Sequence, residues 1–365
     1  MTRLPLHPAD PIWRAREFPR WCLLAVAVGA GVIGSVSLGR SIATMDMWLS
    51  DFIVLWTAAR TPLEQIYDAA ALTRAQHWLI PVDAGLRPFP YPPTFIAASR
   101  WLGQLPLAGA ITAWSALGLL VFLGCSGRAV GAKAAGLTLA APMLWLTLMA
   151  GQVSLLFGGV LIAALDLLRR RPMVAGVLIG TLAALKPQSV LLAPVALLAG
   201  GHRRALMAAV GTGALLGLMS LALHGPALWL RWLHSLPAFA ELVSEPRFLL
   251  QLASPGAITA MMEVTGPPAL LWSLLVGALG LIATWRVFRR TEAIELRIAA
   301  LVTGSILCAP YAMNYDLVTL APAGAALLLD RDGTLLRWML GLLLFLPPFA
   351  PVTLIAIALM LLLLL

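Results

Sequence analysis

The chain has 365 residues, of which 61% are apolar and only 11% charged, and its formal net charge is +9. A soluble domain needs about 25% charged residues to cover its core. The composition therefore excludes a water-soluble globular enzyme, a disordered chain and a disulfide scaffold, and it predicts a polytopic membrane protein. The basic residues lie in short clusters between apolar runs, so nucleic acid is not an expected partner.

The first apolar run, residues 21–38, follows Arg14, Arg16 and Arg20. It is long enough for about 27 Å of helix, close to the thickness of a bilayer core. A cleaved signal peptide is one reading of this pattern. An uncleaved first helix is favoured, because the run is long for a signal peptide and many further spans follow it.

The rest of the chain predicts an all-α membrane protein, a single integral membrane domain over residues 1–365 with about 10–12 transmembrane or half-spanning helices. The other apolar runs are 108–127, 134–150, 153–168, 173–185, 188–200, 205–223, 268–285, 298–311, 317–329, 338–350 and 351–365. Arg and Lys cluster in every second short connection. The positive-inside rule then makes the N-terminal segment 1–20 and those connections cytoplasmic.

Two long connections, 39–107 and 224–267, fall on the opposite, outward side, where functional residues are expected. Residues 50–60 form an amphipathic pattern that predicts a helix lying on the membrane surface. Asp51 occupies its first turn, where the helix dipole stabilises a carboxylate, and this structural role is the alternative to a functional one. Further along, Phe89-Pro90-Tyr91-Pro92-Pro93 predicts an extended course, because its prolines remove backbone donors.

The segment 172–200 predicts a helical hairpin that is broken at membrane depth. Two apolar runs, each of about 20 Å of helix, flank Lys186-Pro187-Gln188. Such a break is tolerated only where it lines a cavity, and an ionisable residue there is a functional hypothesis by default. The alternative is that Lys186 extends to the interface or pairs with a nearby Asp.

A similar break follows the run 298–311, where Asn314 and Asp316 precede another short run. Gln152 lies at the outward turn between two other runs. The polar exceptions to an apolar chain therefore fall on one side, which predicts a site open to the outside and to lipid.

Several motifs in this order resemble those of glycosyltransferase family 87, whose members are GT-C membrane enzymes. They are the acidic residue and aromatic helix at 51–60, Tyr67-Asp68, Phe89-Pro90-Tyr91-Pro92-Pro93, Gly151-Gln152, Lys186-Pro187-Gln188 and Pro310-Tyr311 with Asn314-Tyr315-Asp316. The resemblance covers about residues 20–330. One departure is the stretch 61–65, which lacks the glycine usual before the Tyr-Asp pair.

The resemblance implies a GT-C-like bundle that transfers a hexose from a polyprenyl-phosphate donor to a lipid or glycan acceptor, with inversion. The best-known relative suggests mannose. Asp51 would be the catalytic general base, and Lys186 would stabilise the leaving phosphate. Other residues proposed to bind the donor phosphate or substrate are Gln188, Arg87, Tyr91, Gln152, His224, His234, Asn314 and Asp316. The stretch 89–93 would pack along the prenyl chain or sugar, or simply cap the bundle.

No Asp-x-Asp motif occurs in the first outward loop, so neither a metal nor another cofactor is expected. The implied location is the bacterial cytoplasmic membrane, with membrane lipids around the chain and the site facing the periplasm.

A lipid or solute transporter also uses broken helices with polar residues at membrane depth, and it is the alternative function. A lipid-binding subunit without catalytic activity is a third.

Overall fold

The computed structural model describes residues 11–43, 50–77, 79, 86–249, 251–347 and 350–365. It is 81% helix, and no strand occurs in the described parts of the chain, as the all-α prediction requires. Residues 1–10 of the predicted cytoplasmic segment lie outside the described residues, as do parts of the first outward loop.

The first outward connection contains several short helices between two long ones. The helices up to residue 130 are α1 (Pro11–Ala43), α2 (Ser50–Arg60), α3 (Ala69–Gln76), α4 (Pro93–Ser99) and α5 (Leu107–Val130). Helical turns at Leu63–Gln65 and Arg100–Gln104 complete this segment. It lies at one end of the bundle, because α4 is bonded to the end of a later bundle helix through Thr94, whose hydroxyl donates to the carbonyl of Ala184.

The remaining helices make up the bundle. They are α6 (Ala132–Leu137), α7 (Pro142–Ala150), α8 (Ser154–Leu167), α9 (Pro172–Leu185), α10 (Ala193–Ala199), α11 (Arg203–Val243), α12 (Pro246–Leu249), α13 (Gly256–Met261), α14 (Pro267–Arg290), α15 (Ile294–Cys308), α16 (Ala321–Leu329), α17 (Leu335–Phe345) and α18 (Ala350–Leu363). Three described helices, α5, α11 and α14, are long and apolar enough to cross a membrane. A fourth span results if residues 132–150, bent by 69°, count as one.

The many shorter apolar helices agree with a helical membrane protein that contains half-spanning segments, while the number of spans stays a prediction. The break predicted at Lys186-Pro187 is confirmed. α9 ends at Leu185, Lys186 has non-helical φ and ψ angles of −149° and 77°, and a short 3-10 turn, Pro187–Val190, follows.

The chain then returns along α10 to the level at which α9 began. Gly176 of α9 lies against Ala205 of α11, and Gly180 lies against Ala209. The predicted hairpin is therefore formed, and α11 runs parallel to α9. A Cβ atom at Gly180 would lie 2.3 Å from the carbonyl oxygen of Ala209, so the two backbones approach closely only because this residue is glycine.

The two ends of the bundle differ in character. We call the end that carries Gln152, Lys186 and Asp316 the site end. At the other end, Arg128 pairs with Asp166 at 3.1 Å, joining α5 to α8. We call this end the basic end, because the Arg and Lys clusters that follow α5, α8, α10 and α14 lie there.

One expectation about the outward segments is wrong. α2 forms as predicted but does not lie on a surface with one face exposed, because residues 52–59 are all buried. The apolar residues on its second face, Ile53, Val54 and Ala58, explain why it is enclosed on both sides.

The second outward connection, 224–267, contains a long helical segment. α11 bends at Gly225, which has a φ of 73°, and continues from Pro226 to Val243.

Gly180→Ala is expected to lower the free energy of unfolding by about 1–3 kcal/mol, because the added methyl group overlaps the α11 backbone. The thermal unfolding midpoint in detergent measures this change. Gly211→Ala is the matched control, since nothing lies within 4 Å of a Cβ at that helical position. Equal midpoints for the two variants would show that the close approach of α9 and α11 does not contribute to stability.

Candidate functional site

Three helix interruptions meet at the site end. α7 ends at Ala150 and α8 starts at Ser154, α9 ends at Leu185, and a 3-10 helix, Asn314–Leu320, follows α15. Each interruption exposes polar backbone and side chains that a continuous apolar helix would lack. Because the three lie side by side, the polar side chains can satisfy one another within the bundle.

Lys186, Asp316 and Ser154 form one hydrogen-bonded group. The ammonium of Lys186 lies 2.5 Å from Oδ1 of Asp316, and the hydroxyl of Ser154 donates to the same oxygen at 2.5 Å. Lys186 is only 5% exposed, so its charge is held inside the protein by this carboxylate. The ammonium also lies 5.7 Å from the centre of the Tyr315 ring, where a cation is attracted to the ring face. The alternative pairing of Lys186 with a nearby Asp is thus the one that forms.

Asp51, Gln152 and Tyr91 form a second group directly beside the first. The Gln152 amide donates to Oδ2 of Asp51, and the Tyr91 hydroxyl lies 3.3 Å from Oε1 of Gln152. Gln152 and Tyr91 are buried, while Asp51 is partly exposed. Only Val153 separates Gln152 of this group from Ser154 of the other, so a single turn of chain carries residues of both.

Gly151 permits the close approach of α2 to this turn. Its φ of +66° is left-handed, and a Cβ at this position would lie 2.4 Å from Cβ of Phe52. The residue after Gly151 is Gln152 and the residue before Phe52 is Asp51. The contact between glycine and Phe52 therefore brings the amide and the carboxylate together.

The predicted extended segment 89–93 packs as part of the core at the site end. The rings of Tyr91 and Phe95 stack with centres 4.3 Å apart, and Phe89 lies 5.4 Å from Tyr91. The hydroxyl of Tyr67 donates to the carbonyl of Tyr91 at 2.8 Å, and the indole of Trp232 donates to that of Pro90. The segment is fixed from two directions, by the first outward segment and by the second half of α11.

Gln188 and Asn314 border the same region. The Gln188 amide lies 3.3 Å from the hydroxyl of Tyr311, and the Asn314 backbone N–H donates to the Gln251 carbonyl at 2.7 Å. The segment before α13 is therefore bonded to the chain just ahead of Asp316.

Among the residues that the structure describes, no three His, Cys, Asp or Glu side chains lie together as a metal-binding group.

A small cavity of about 30 Å³ lies beside the ion pair. It is lined at the site end by Ser154, Lys186, Gln188 and Asp316, and deeper by Leu161 and Leu182. The lining is therefore polar at the site end and apolar further into the bundle.

The other predicted binding residues lie outside these two groups. The Arg87 backbone is bonded to α3, where its N–H donates to the Thr73 hydroxyl and its carbonyl accepts from Gln76. His224 is partly buried at the bend of α11, and His234 is exposed on the second half of that helix. None of these contacts places the three side chains at Asp51 or Lys186.

Sequence reasoning did not single out three residues that contribute to the site, Ser154, Tyr311 and Tyr315. Tyr311 and Tyr315 belong to the Pro310-to-Asp316 motif, so the sequence did contain an indication of them. Ser154 had a weaker signal, since it is the first residue of α8 and only two residues after Gln152. A serine in that position is common as a helix start and does not by itself indicate a site.

Comparison with known proteins identifies the family. The sequence profile of glycosyltransferase family 87 matches residues 89–310, more than half of the chain, whereas no curated protein and no solved structure matches. The matched range contains the segment 89–93, Gln152 and Lys186, while Asp51 and Asp316 lie outside it. The chain therefore belongs to glycosyltransferase family 87 and is a membrane glycosyltransferase.

Proposed function

We propose that the protein transfers a hexose, with mannose as the first candidate, from a polyprenyl-phosphate donor to a lipid or glycan acceptor. The reaction takes place at the outer face of the bacterial cytoplasmic membrane and inverts the anomeric carbon. The observation that carries this proposal is the juxtaposition of a carboxylate, Asp51, with a buried ammonium, Lys186, through one turn of chain. Family membership favours covalent transfer over transport alone.

The reaction needs a base on one side of the sugar and positive charge on the other. Asp51 takes the proton of the acceptor hydroxyl as that oxygen bonds to the anomeric carbon. The bond between the anomeric carbon and the phosphate oxygen breaks, and its electron pair stays on the polyprenyl phosphate. The leaving group gains negative charge and needs no acid, so electrostatic stabilisation there is the main requirement.

Lys186 supplies that stabilisation while it remains bonded to Asp316. An ammonium has three N–H donors, and Asp316 occupies one direction of approach. The carboxylate holds the ammonium in position, and the other donors can contact the phosphate. The apolar lining of the small cavity beside Lys186 marks the direction that we assign to the first isoprene units of the donor.

The remaining predicted binding residues are assigned to the border of this centre and to the approach to it. Gln188 and Asn314 lie at its border, where they can contact hydroxyl groups of the sugar. Arg87, His224 and His234 are assigned to the outer approach to the site, where a charged lipid phosphate first arrives. The segment 224–267 is assigned to acceptor selection.

Asp51→Asn is expected to lower the rate of transfer by about 10²–10⁴-fold, because the amide cannot take the acceptor proton. The assay supplies radiolabelled polyprenyl-phosphate mannose to native membranes and follows label in the lipid and glycan fractions. Glu64→Gln is the matched control, since it neutralises an exposed acid in the same segment. Normal transfer by Asp51→Asn would remove Asp51 as the base, and donor movement without transfer would support the transporter instead.

Lys186→Met is expected to lower the same rate by about 10²–10³-fold, through loss of the charge that stabilises the leaving phosphate. The chain has one other lysine, Lys133, which is exposed at the basic end, so Lys133→Met is the matched control. Thermal unfolding of Lys186→Met should be measured alongside, because Asp316 loses its partner. A folded Lys186→Met that transfers at the normal rate would contradict the assignment.

The two ends of the bundle are expected on opposite sides of the membrane. Single cysteines at positions 64 and 170, in a chain whose Cys22, Cys125 and Cys308 are replaced by alanine, test this arrangement. Both positions are exposed. A membrane-impermeant maleimide should label position 64 in intact cells and position 170 only after the membrane is opened. Labelling of position 170 in intact cells would reverse the orientation.

A further inference from the structure

Gln152 is the only side chain that the described contacts place between Tyr91 and Asp51. Its amide nitrogen donates to Oδ2 of Asp51, and its amide oxygen accepts from the Tyr91 hydroxyl at 3.3 Å. Gln152 is 7% exposed, and Tyr91 is equally buried. Because solvent has little access to either group, the three residues determine one another's hydrogen bonding.

The Tyr91 hydroxyl determines which way the Gln152 amide points. An amide presents two donors on nitrogen and an acceptor on oxygen, and a half rotation exchanges them. Burial, and then the negative charges of Asp51 and Asp316, raise the pKa of Tyr91 well above its ordinary value. Tyr91 therefore remains a neutral phenol that donates a hydrogen bond. The amide oxygen faces this donor, and the amide N–H faces the carboxylate.

The backbone on both sides of Gln152 is also fixed. The Gln152 N–H donates to the Thr147 carbonyl at 3.0 Å and closes the end of α7. The hydroxyl of Thr147 in turn lies 2.6 Å from the carbonyl oxygen of Met143 and 3.1 Å from that of Tyr315, beside Asp316. These contacts hold the backbone that carries the amide.

We propose that Gln152, oriented by Tyr91, is a positioning residue that holds Asp51 ionised and aimed for proton abstraction. The inference rests on the proposed function of Asp51 and revises the expectation that Gln152 and Tyr91 bind substrate. An N–H donor stabilises the charged carboxylate relative to its protonated form. The amide achieves this without adding a second titrating group beside the base.

The direct test is the pH dependence of transfer by Gln152→Glu. This variant places a second carboxyl against Asp51, and two interacting carboxyls titrate as a pair. The loss of rate at acid pH should therefore spread over a wider pH range. Its upper part should move to higher pH by about one unit or more. Purified protein in lipid nanodiscs, radiolabelled polyprenyl-phosphate mannose and a lipid extract of the native membrane are the reagents.

Gln65→Glu is the matched control. Gln65 is exposed in the same outward segment, so this variant adds the same charge without touching Asp51, and its profile should keep its shape. A Gln152→Glu profile that is lowered equally at every pH would overturn the proposal, since a purely structural role predicts that result.

A double-mutant cycle with Tyr91→Phe and Gln152→Leu provides an independent test. Tyr91→Phe should lower kcat by about 3–30-fold with little change in the donor KM, as expected for loss of one buried hydrogen bond. In the Gln152→Leu background it should have almost no further effect on kcat. Additive losses, or a rise in KM alone, would show that Tyr91 contacts substrate and does not act through Gln152.

The proposed base, Asp51, and the proposed positioning role of Gln152 can fail separately. If Asp51→Asn transfers normally, the proposed base is wrong and the positioning role is lost with it. If Asp51→Asn is inactive while Gln152→Glu keeps the normal shape of its pH profile, only the positioning role is wrong. Thermal unfolding of each variant, compared with that of the unmodified protein, shows that the measured rates come from folded protein.

Discussion

The ion pair between Lys186 and Asp316 is the interaction that allows the bundle to be interrupted at its site end. Non-helical backbone at membrane depth is tolerated only where protein or a cavity surrounds it. Each residue lies at such an interruption, and each would be a costly buried charge without the other. Their pairing, with Ser154 as a further donor, gives the polar side chains at both breaks a partner and places the two breaks side by side.

The short turn from Gly151 to Ser154 then links this pair to the carboxylate on α2. Gly151 lets Phe52 approach, Gln152 reaches Asp51, and Ser154 reaches Asp316. A shift of this turn would therefore change the positions of the base, Asp51, and the cation, Lys186, together. In an inverting transfer the two must lie on opposite sides of the same anomeric carbon, so a shared turn is a direct way to keep their spacing constant.

Much of this arrangement could be predicted from the sequence. The polar residues between apolar runs marked the breaks, and the alternation of those runs put Gln152, Lys186 and Asp316 at one end. The burial of α2 was missed because Phe52, Leu55 and Trp56 fit a one-sided helix, although Ile53 and Val54 on its other face are equally apolar. The helical course after residue 225 was missed because a Gly-Pro pair usually ends a helix, whereas here Pro226 starts the second half after a bend.

The partners in contacts between distant residues could not be identified from the sequence. It allowed Lys186 to pair with an Asp but did not identify Asp316, 130 residues away, and it did not indicate that Tyr91 bonds to Gln152, 61 residues away. These contacts depend on the close packing of helices through glycine and on the register in which α8 runs beside the 3-10 helix 314–320.

The proposed reaction places the donor phosphate at Lys186 and the anomeric carbon between that phosphate and Asp51. A structure of the protein in nanodiscs with a non-cleavable polyprenyl phosphonate analogue of the donor tests it most directly. Phosphonate oxygens are expected within about 3 Å of the Lys186 ammonium, with the anomeric carbon between the phosphonate and Asp51. A phosphonate bound away from Lys186, or a sugar whose anomeric carbon faces away from Asp51, would contradict it.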